Sequence, residues 1–272
     1  MTLSRFSGLA AAFAIYPLTM FVAAPLLLSA EPTPQATAAF DSYTSTVESR
    51  IATQHQSLNG FLATSAVSLQ DQTRLRNGEL IVERLTPSAG AFLPGGLLHH
   101  WRGSAFVKGA AVSDFESLIE NFNDYPQRFY PQVLQASLLA QNGNRLQAVM
   151  RVRQRHVIPV VLDTTYDINL GRMDSRHGYT ISRSANISEI ASPGTNSERA
   201  LKPGEEHGFL WKLNTYWSYE ERNGGLYLQI ESISLTRSIP RGLGWAIRPL
   251  AESVPRESLE FTLRSACNAL RK

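Results

Sequence analysis

The chain has 272 residues, of which 43% are apolar and 18% charged, and its formal net charge is +3. This composition excludes a wholly disordered or fibrous chain, and the length fits one folded domain. Basic residues are spread along the chain with acidic residues between them, apart from a short series of arginines at 151, 153 and 155. Nucleic-acid binding usually requires a basic stripe, so we expect no nucleic-acid partner.

The first thirty residues have the composition of an export signal. Arg5 precedes residues 9–28, which carry no charge, and the small residues Ser29 and Ala30 come before a Pro-rich stretch. This order predicts a secretory signal peptide over residues 1–30. The apolar run is also long enough for an uncleaved anchor that would contact a membrane. In both cases we expect the rest of the chain in the periplasm or secreted.

Residues 31–96 form a predicted extension that precedes the main domain. Residues 32–38 have the composition of a linker. Apolar residues at helical spacing from Phe40 to Ile51 predict a helix over 39–56. Residues 57–78 carry no decisive pattern, and residues 79–85 predict a strand. The sequence assigns no function to this extension.

The main domain is predicted to cover residues 97–272. A strand over 99–107 is followed by a helix with Ser113 as its N-cap and Glu116 completing a capping box. Pro255 is placed at the start of a last helix over 256–271. The connections between them are too short for parallel pairing. The predicted consecutive strands cover 132–141, 145–155, 158–170, 176–190, 207–221 and 226–237.

This order predicts an α+β fold, in which a curved antiparallel sheet of about six to seven strands wraps around a long C-terminal helix. The segments that carry a family resemblance are Leu98-His99-His100-Trp101, the helix 113–122 with the Tyr-Pro pairs at 125 and 130, and residues 255–259. Over roughly residues 97–271 the chain resembles the START and birch-pollen-allergen (SRPBCC) superfamily. The resemblance implies a helix-grip fold. It also implies a carrier of lipids, sterols, quinones, plant hormones or polyketides, or, in a minority of members, a cyclase.

A two-residue turn at Asn223-Gly224 fixes the register of the last hairpin and pairs Trp217 with Ile230. Alternation of side chains then places one apolar set inward: Trp211, Leu213, Thr215, Trp217, Leu228 and Ile230. Glu231 falls on the polar face, where we expect a structural or solvated side chain.

The same alternation gives the facing of three earlier strands. On the first, Leu146, Ala148, Met150 and Val152 point inward, and Arg151, Arg153 and Arg155 point outward. On the second, the inward set is Leu162, Thr164, Tyr166 and Ile168. On the third, the residues predicted to share the inward face are Tyr179, Ile181, Arg183, Ala185 and Ile187.

Six residues of these sets are the candidate ligand contacts: Trp211, Trp217, Ile230, Tyr166, Tyr179 and Arg183. The four aromatic side chains either line a ligand chamber or fill a core. Arg183 either pairs with a carboxylate, or anchors a carboxylate, phosphate or carbonyl group of a ligand.

No arrangement in the sequence predicts a catalytic residue, a metal or a cofactor. His99 and His100 are adjacent on a strand and therefore point to opposite faces. Asp163 and Asp167 share the outward face, and Cys267 lies in an apolar helical pattern that predicts burial.

We therefore expect an exported binding or carrier protein for a hydrophobic or amphipathic small molecule, such as a lipid or quinone. The alternative is a cyclase- or hydrolase-like enzyme that uses the same cavity, with Arg183 and Tyr166 or Tyr179 as its nearest acid–base pair. A third hypothesis is a filled cavity and a function at the surface. A titratable pair facing the cavity would favour the enzyme, and a negligible cavity volume would favour the third hypothesis. The oligomeric state is not predicted.

Overall fold

A computed structural model describes residues 31–57, 60–63, 68–86, 91–93, 95–154, 159–238 and 244–271. Residues 1–30, the predicted signal or anchor, lie outside these ranges. The helices are α1 (Pro34–His55), α2 (Leu69–Arg76), α3 (Val112–Glu120), α4 (Tyr125–Arg128) and α5 (Gly244–Leu270). None of the helices in the described ranges has the length and hydropathy to cross a membrane.

The strands of the described ranges form one antiparallel sheet of ten strands. They are β1 (Ile81–Arg84), β2 (Ala91–Leu93), β3 (Gly96–Lys108), β4 (Val133–Asn142), β5 (Arg145–Gln154), β6 (Val160–Arg172), β7 (His177–Ala191), β8 (Arg199–Ala200), β9 (Lys212–Arg222) and β10 (Gly225–Arg237). The main order is β1-β3-β10-β9-β7-β6-β5-β4, with β2 beside β3 and β8 beside β7. The seven long strands of the predicted main domain are therefore confirmed, and the extension adds β1 at one edge.

The hairpin β9–β10 has the predicted register. Asn223 and Gly224 have φ of +56° and +74°, as the two central residues of a two-residue hairpin turn require. Arg222 lies opposite Gly225, and Trp217 lies opposite Ile230.

Helix α5 packs against the inner face of the sheet, so the helix-grip architecture is confirmed. Its Leu259 and Leu263 share one buried core with Leu228 and Ile230. Gly103 on β3 permits this close approach, because a Cβ there would lie 2.6 Å from a methyl carbon of Leu259. Cys267 is buried on the same helix as expected, and burial raises the pKa of its thiol to about 11.

Two predicted helix starts in the main domain are wrong. Helix α5 begins at Gly244 and contains Pro255 in its interior, since a proline removes one backbone hydrogen bond without necessarily ending a helix that is packed along its length. Helix α3 has Ala111 as its N-cap and begins at Val112, two residues earlier than predicted, so the third helical position is Asp114. Its carboxylate accepts the Ala111 N–H at 2.9 Å. Glu116 instead accepts hydrogen bonds from Arg172 and Tyr219.

The extension covers the outer face of the sheet. The linker predicted over residues 32–38 is wrong, because Thr33 caps α1 by accepting the Ala36 N–H at 3.1 Å and Pro34 occupies the first helical position. Phe40 of α1 packs with Tyr216 and Leu235 in a second buried cluster on that face. A sheet face that alternation assigns to solvent is therefore largely buried.

Candidate functional site

A cavity of about 190 Å³ lies between the inner face of the sheet and helices α3, α4 and α5. The helices contribute an apolar wall: Phe115, Leu118, Ile119, Phe122, Tyr125, Phe129, Phe261 and Ala266. The sheet contributes the opposite wall: Met150, Val152, Tyr166, Ile168, Leu170, Leu213 and Trp217. The site is thus a mainly hydrophobic chamber with several aromatic rings.

Most of the polar groups of this chamber are hydroxyls, and two of them are phenols. Thr180, Ser182 and Thr215 contribute hydroxyls from the sheet. Burial raises the pKa of Tyr166 to about 12. Burial also raises the pKa of Tyr125, whose hydroxyl donates to the Ile119 carbonyl at 3.0 Å. Both phenols are therefore neutral at physiological pH.

One end of the cavity is more polar than the other. Gln132, Arg153 and Gln154 border it where β4 begins and β5 ends. Among the described lining residues, Arg153 is the only one with a permanent charge, and none is Asp, Glu, His or Lys.

Trp217 and Tyr166 line the cavity as alternation predicts. That they touch a ligand stays a prediction. Ile230 lies on the same inner face but packs in the main core under α5 rather than along the cavity.

The inward placement of Trp211 is wrong. Trp211 precedes β9, which begins at Lys212, so strand alternation does not extend to it. Its backbone N–H still donates to the Leu235 carbonyl at 2.8 Å. Its ring packs with Phe40 of α1 and Leu235 on the outer face.

The inward placement of Tyr179 and Arg183 is also wrong, because a β-bulge interrupts β7. Thr165 lies opposite Asn186, whereas the next residue, Tyr166, lies opposite Ser184, which leaves Ala185 without a partner in the β6 register. The bulge shifts the alternation by one residue. Residues before it, including Thr180 and Ser182, therefore face the cavity in place of the predicted set.

The outer face holds the two displaced residues against α1. Arg183 donates two hydrogen bonds to Glu48, at 2.8 and 2.7 Å, and the hydrogen bond from Arg183 to Glu48 raises the pKa of the guanidinium. Tyr179 packs on His55, with ring centroids 4.7 Å apart. Arg183 therefore pairs with a carboxylate of the protein, which is the first of its two predicted roles, and not with a ligand in the cavity.

The facing predicted for β5 is confirmed at Met150 and Val152, which line the cavity. Arg151 points outward and is paired with Asp163. Arg153 is predicted outward but borders the cavity, at the last but one position of β5. Arg155 lies outside the described residues.

A buried polar cluster joins α1 to the outer face. Glu231, with a 4% exposed side chain, accepts hydrogen bonds from Arg50 at 2.5 Å, His100 at 2.8 Å and Arg102 at 3.0 Å. Burial by itself would raise the pKa of Glu231, but the His100 hydrogen bond and the two arginine charges outweigh it and hold the pKa at about 2. Glu231 lies on the polar face as predicted, and of its two predicted roles the structural one is found, because the side chain is buried in this cluster.

The imidazole of His100 connects this carboxylate to α1. Burial lowers the pKa of His100, which is therefore neutral at physiological pH. Its Nε2–H donates to Glu231, so its Nδ1 accepts the hydroxyl of Tyr43 at 2.9 Å. Within the described ranges, no three His, Cys, Asp or Glu side chains are grouped so as to hold a metal ion.

Some residues that line the cavity, but are not among the predicted ligand contacts, can be recognised from sequence patterns. The apolar spacing in α3 indicates that Phe115, Leu118 and Phe122 share a buried face, which is the helical wall of the cavity. No local sequence pattern indicates that Phe129 or Phe261 lines the cavity, because each reaches it only through the packing of α4 and α5 on the sheet.

No family model matches the sequence. No curated protein matches it. The solved structures that are similar include three with a TM-score of 0.45 each. A STAR-related lipid transfer protein from Xanthomonas axonopodis is 17% identical, over 70% of this chain and 99% of that chain. Zhui aromatase/cyclase from Streptomyces sp. R1128 is 12% identical, over 63% and 92%. Human STARD10 is 8% identical, over 75% and 79%.

Proposed function

We propose that this protein binds a hydrophobic or amphipathic small molecule in the cavity between the sheet and helices α3 to α5. The cavity itself carries the proposal: about 190 Å³ of space with apolar walls and a few hydroxyl groups. An apolar cavity of about 150 Å³ suffices to take up benzene. Sites for small molecules combine such walls with a few polar groups that orient the ligand.

The volume limits the size of the ligand. Sites for drug-sized molecules have about 300–1,000 Å³, which is more than this cavity offers. We therefore expect one ring or a short alkyl chain inside the cavity, and a larger molecule only after α3 or α4 moves away from the sheet.

Binding is better supported than the enzymatic alternative. A cyclase or hydrolase of this kind needs a group that exchanges protons near neutral pH. The described lining offers neutral phenols, hydroxyls and Arg153, without a carboxylate or an imidazole. Neither predicted acid–base pair lies in the cavity, since Arg183 and Tyr179 contact α1 on the outer face and only Tyr166 borders the cavity.

We further propose that the protein acts outside the cytoplasm, cleaved or membrane-anchored at its N-terminus. The support is the uncharged run over residues 9–28 after Arg5. Cell fractionation with N-terminal sequencing of the accumulated protein tests this proposal. A cytoplasmic protein with residues 1–30 intact would contradict it.

Filling the cavity is expected to remove the ligand. Thr215 lines the cavity wall on β9, so Thr215→Phe places a ring into the space that a ligand would occupy. Native mass spectrometry with organic extraction, on the full chain, should find a bound small molecule in the parent protein. We expect its occupancy to fall at least about tenfold in Thr215→Phe, because the introduced ring fills the space of the ligand.

The matched control is Thr46→Phe, which makes the same change on the exposed side of α1. Thermal unfolding of both variants shows whether they are folded. Retention of the ligand in a folded Thr215→Phe protein, or equal loss in both variants, would contradict binding in this cavity.

A further inference from the structure

We infer that the ligand is an amphiphile whose anionic head, a carboxylate or a phosphate, binds at Arg153 while its apolar chain occupies the cavity. This inference rests on the proposed function and adds a class of ligand and an orientation to it.

The polar end of the cavity is a defined structural feature. The Arg153 N–H donates to the Gln132 carbonyl at 2.7 Å, which holds the start of β4 against the end of β5. Gln132, Arg153 and the adjacent Gln154 therefore border the cavity at one place. A guanidinium and two amides provide hydrogen-bond donors suited to carboxylate or phosphate oxygens.

Arg153 differs from its neighbours in its partners. Arg151, two residues earlier, is bound by Asp163 at 2.7 Å and by Glu198 at 2.5 Å. Arg183, the anchor predicted from the sequence, is bound by Glu48. Among the ion pairs of the side chains that the structure describes, none includes Arg153. A ligand anion would have to displace a carboxylate at Arg151 or Arg183, and no described ion pair imposes this at Arg153.

The rest of the cavity indicates in which direction the apolar chain of the ligand runs from Arg153. Ile168 and Leu170 lie toward the end of β6, and Leu118 and Phe122 lie on and just after α3. These side chains are apolar, whereas the opposite end carries Arg153. An amphiphile that places its charge at Arg153 buries its chain among them, which satisfies both the charge and the apolar surface.

The test compares four ligands with the same alkyl chain and different heads. Isothermal titration calorimetry on the full chain would use hexanoate, hexyl phosphate, hexanol and hexylamine, whose short chains suit the volume of the cavity. We expect at least one of the two anions to bind about tenfold tighter than hexanol, and hexylamine to bind most weakly. The preferred anion also distinguishes a carboxylate head from a phosphate head.

Variants locate the head group. Arg153→Gln is expected to weaken binding of the preferred anion about tenfold and to leave hexanol binding unchanged, so hexanol also reports that the variant is folded. Arg153→Glu should reverse the order of anion and amine. Arg145→Gln removes the same charge from the exposed start of the same strand, away from the cavity, and should leave all four affinities unchanged.

The outcomes separate the two proposals. Equal affinities for anion, alcohol and amine, or equal losses in Arg153→Gln and Arg145→Gln, would overturn the assignment of Arg153 and leave cavity binding intact. Absence of binding by all four ligands, together with no ligand on the purified protein, would overturn the proposed function itself.

Discussion

Replacement of Glu231 by glutamine is expected to lower the free energy of unfolding by about 3 kcal/mol, measured by urea denaturation at pH 7. The carboxylate is buried and accepts hydrogen bonds from Arg50, His100 and Arg102. Glutamine keeps the volume but removes the negative charge, so Arg102, with a 12% exposed side chain, loses the more buried of its two carboxylate partners. We expect a loss at the low end of the range for breaking a buried ion pair, because Arg50 is partly exposed and Glu83 still binds Arg102.

Glu260→Gln is the matched control. Glu260 pairs with Arg264 on the exposed side of α5, where both side chains reach solvent. Such a pair contributes at most about 0.5 kcal/mol. Equal losses for Glu231→Gln and Glu260→Gln would contradict a structural cluster beneath α1.

Acidification from about pH 6.5 to pH 4 is expected to destabilise the protein by on the order of 3 kcal/mol through His55. The imidazole of His55 lies between Phe61 and Tyr179, and its Nε2 is 2.8 Å from Ser218 Oγ. Burial lowers the pKa of His55 from 6.5 to about 4. The charges have smaller effects, since Glu231 raises this pKa and Arg50 lowers it.

The sign follows from which state binds the proton. Between pH 6.5 and 4 the unfolded chain protonates His55 while the folded chain holds it neutral, so the stability present above pH 6.5 is lost as the pH falls. His100 acts in the same direction because burial also lowers its pKa. The contribution of Glu231 persists to lower pH and is lost between its ordinary pKa of 4.5 and about 2.

The measurement is urea denaturation at several pH values between 7.5 and 3.5. The stability of His55→Gln should depend less steeply on pH between 6.5 and 4 than that of the parent protein, and the remaining slope includes the contributions of His100 and, below about pH 4.5, Glu231. Identical slopes in the two proteins would contradict a neutral, buried His55 at the interface of α1 with the sheet.

Local sequence was sufficient for the elements whose signals are short in range. Asn223-Gly224 defines a turn and, through it, the pairing of two long strands. Apolar spacing places Leu259 and Leu263 on one face of the last helix, and that face meets the sheet. The order of these elements was enough for the helix-grip fold and for the inward facing of Tyr166 and Trp217.

The facing of β7 could not be obtained in this way. A bulge at Ala185 changes the register by one residue and carries no sequence signature. Every side chain before it therefore exchanges faces, and the predicted ligand contacts Tyr179 and Arg183 become part of the contact with α1.

The sequence by itself determined the period of each strand, the turn of the last hairpin and the order of the main domain. Only the tertiary structure decided which face of the sheet is enclosed by α3 to α5 and which is covered by α1. The physical reason is that alternation gives two faces without saying what covers either. Arg183 and Glu48, for example, are separated by 135 positions in the chain. Their pairing, and the resulting assignment of the cavity charge to Arg153, depend on how distant segments pack together.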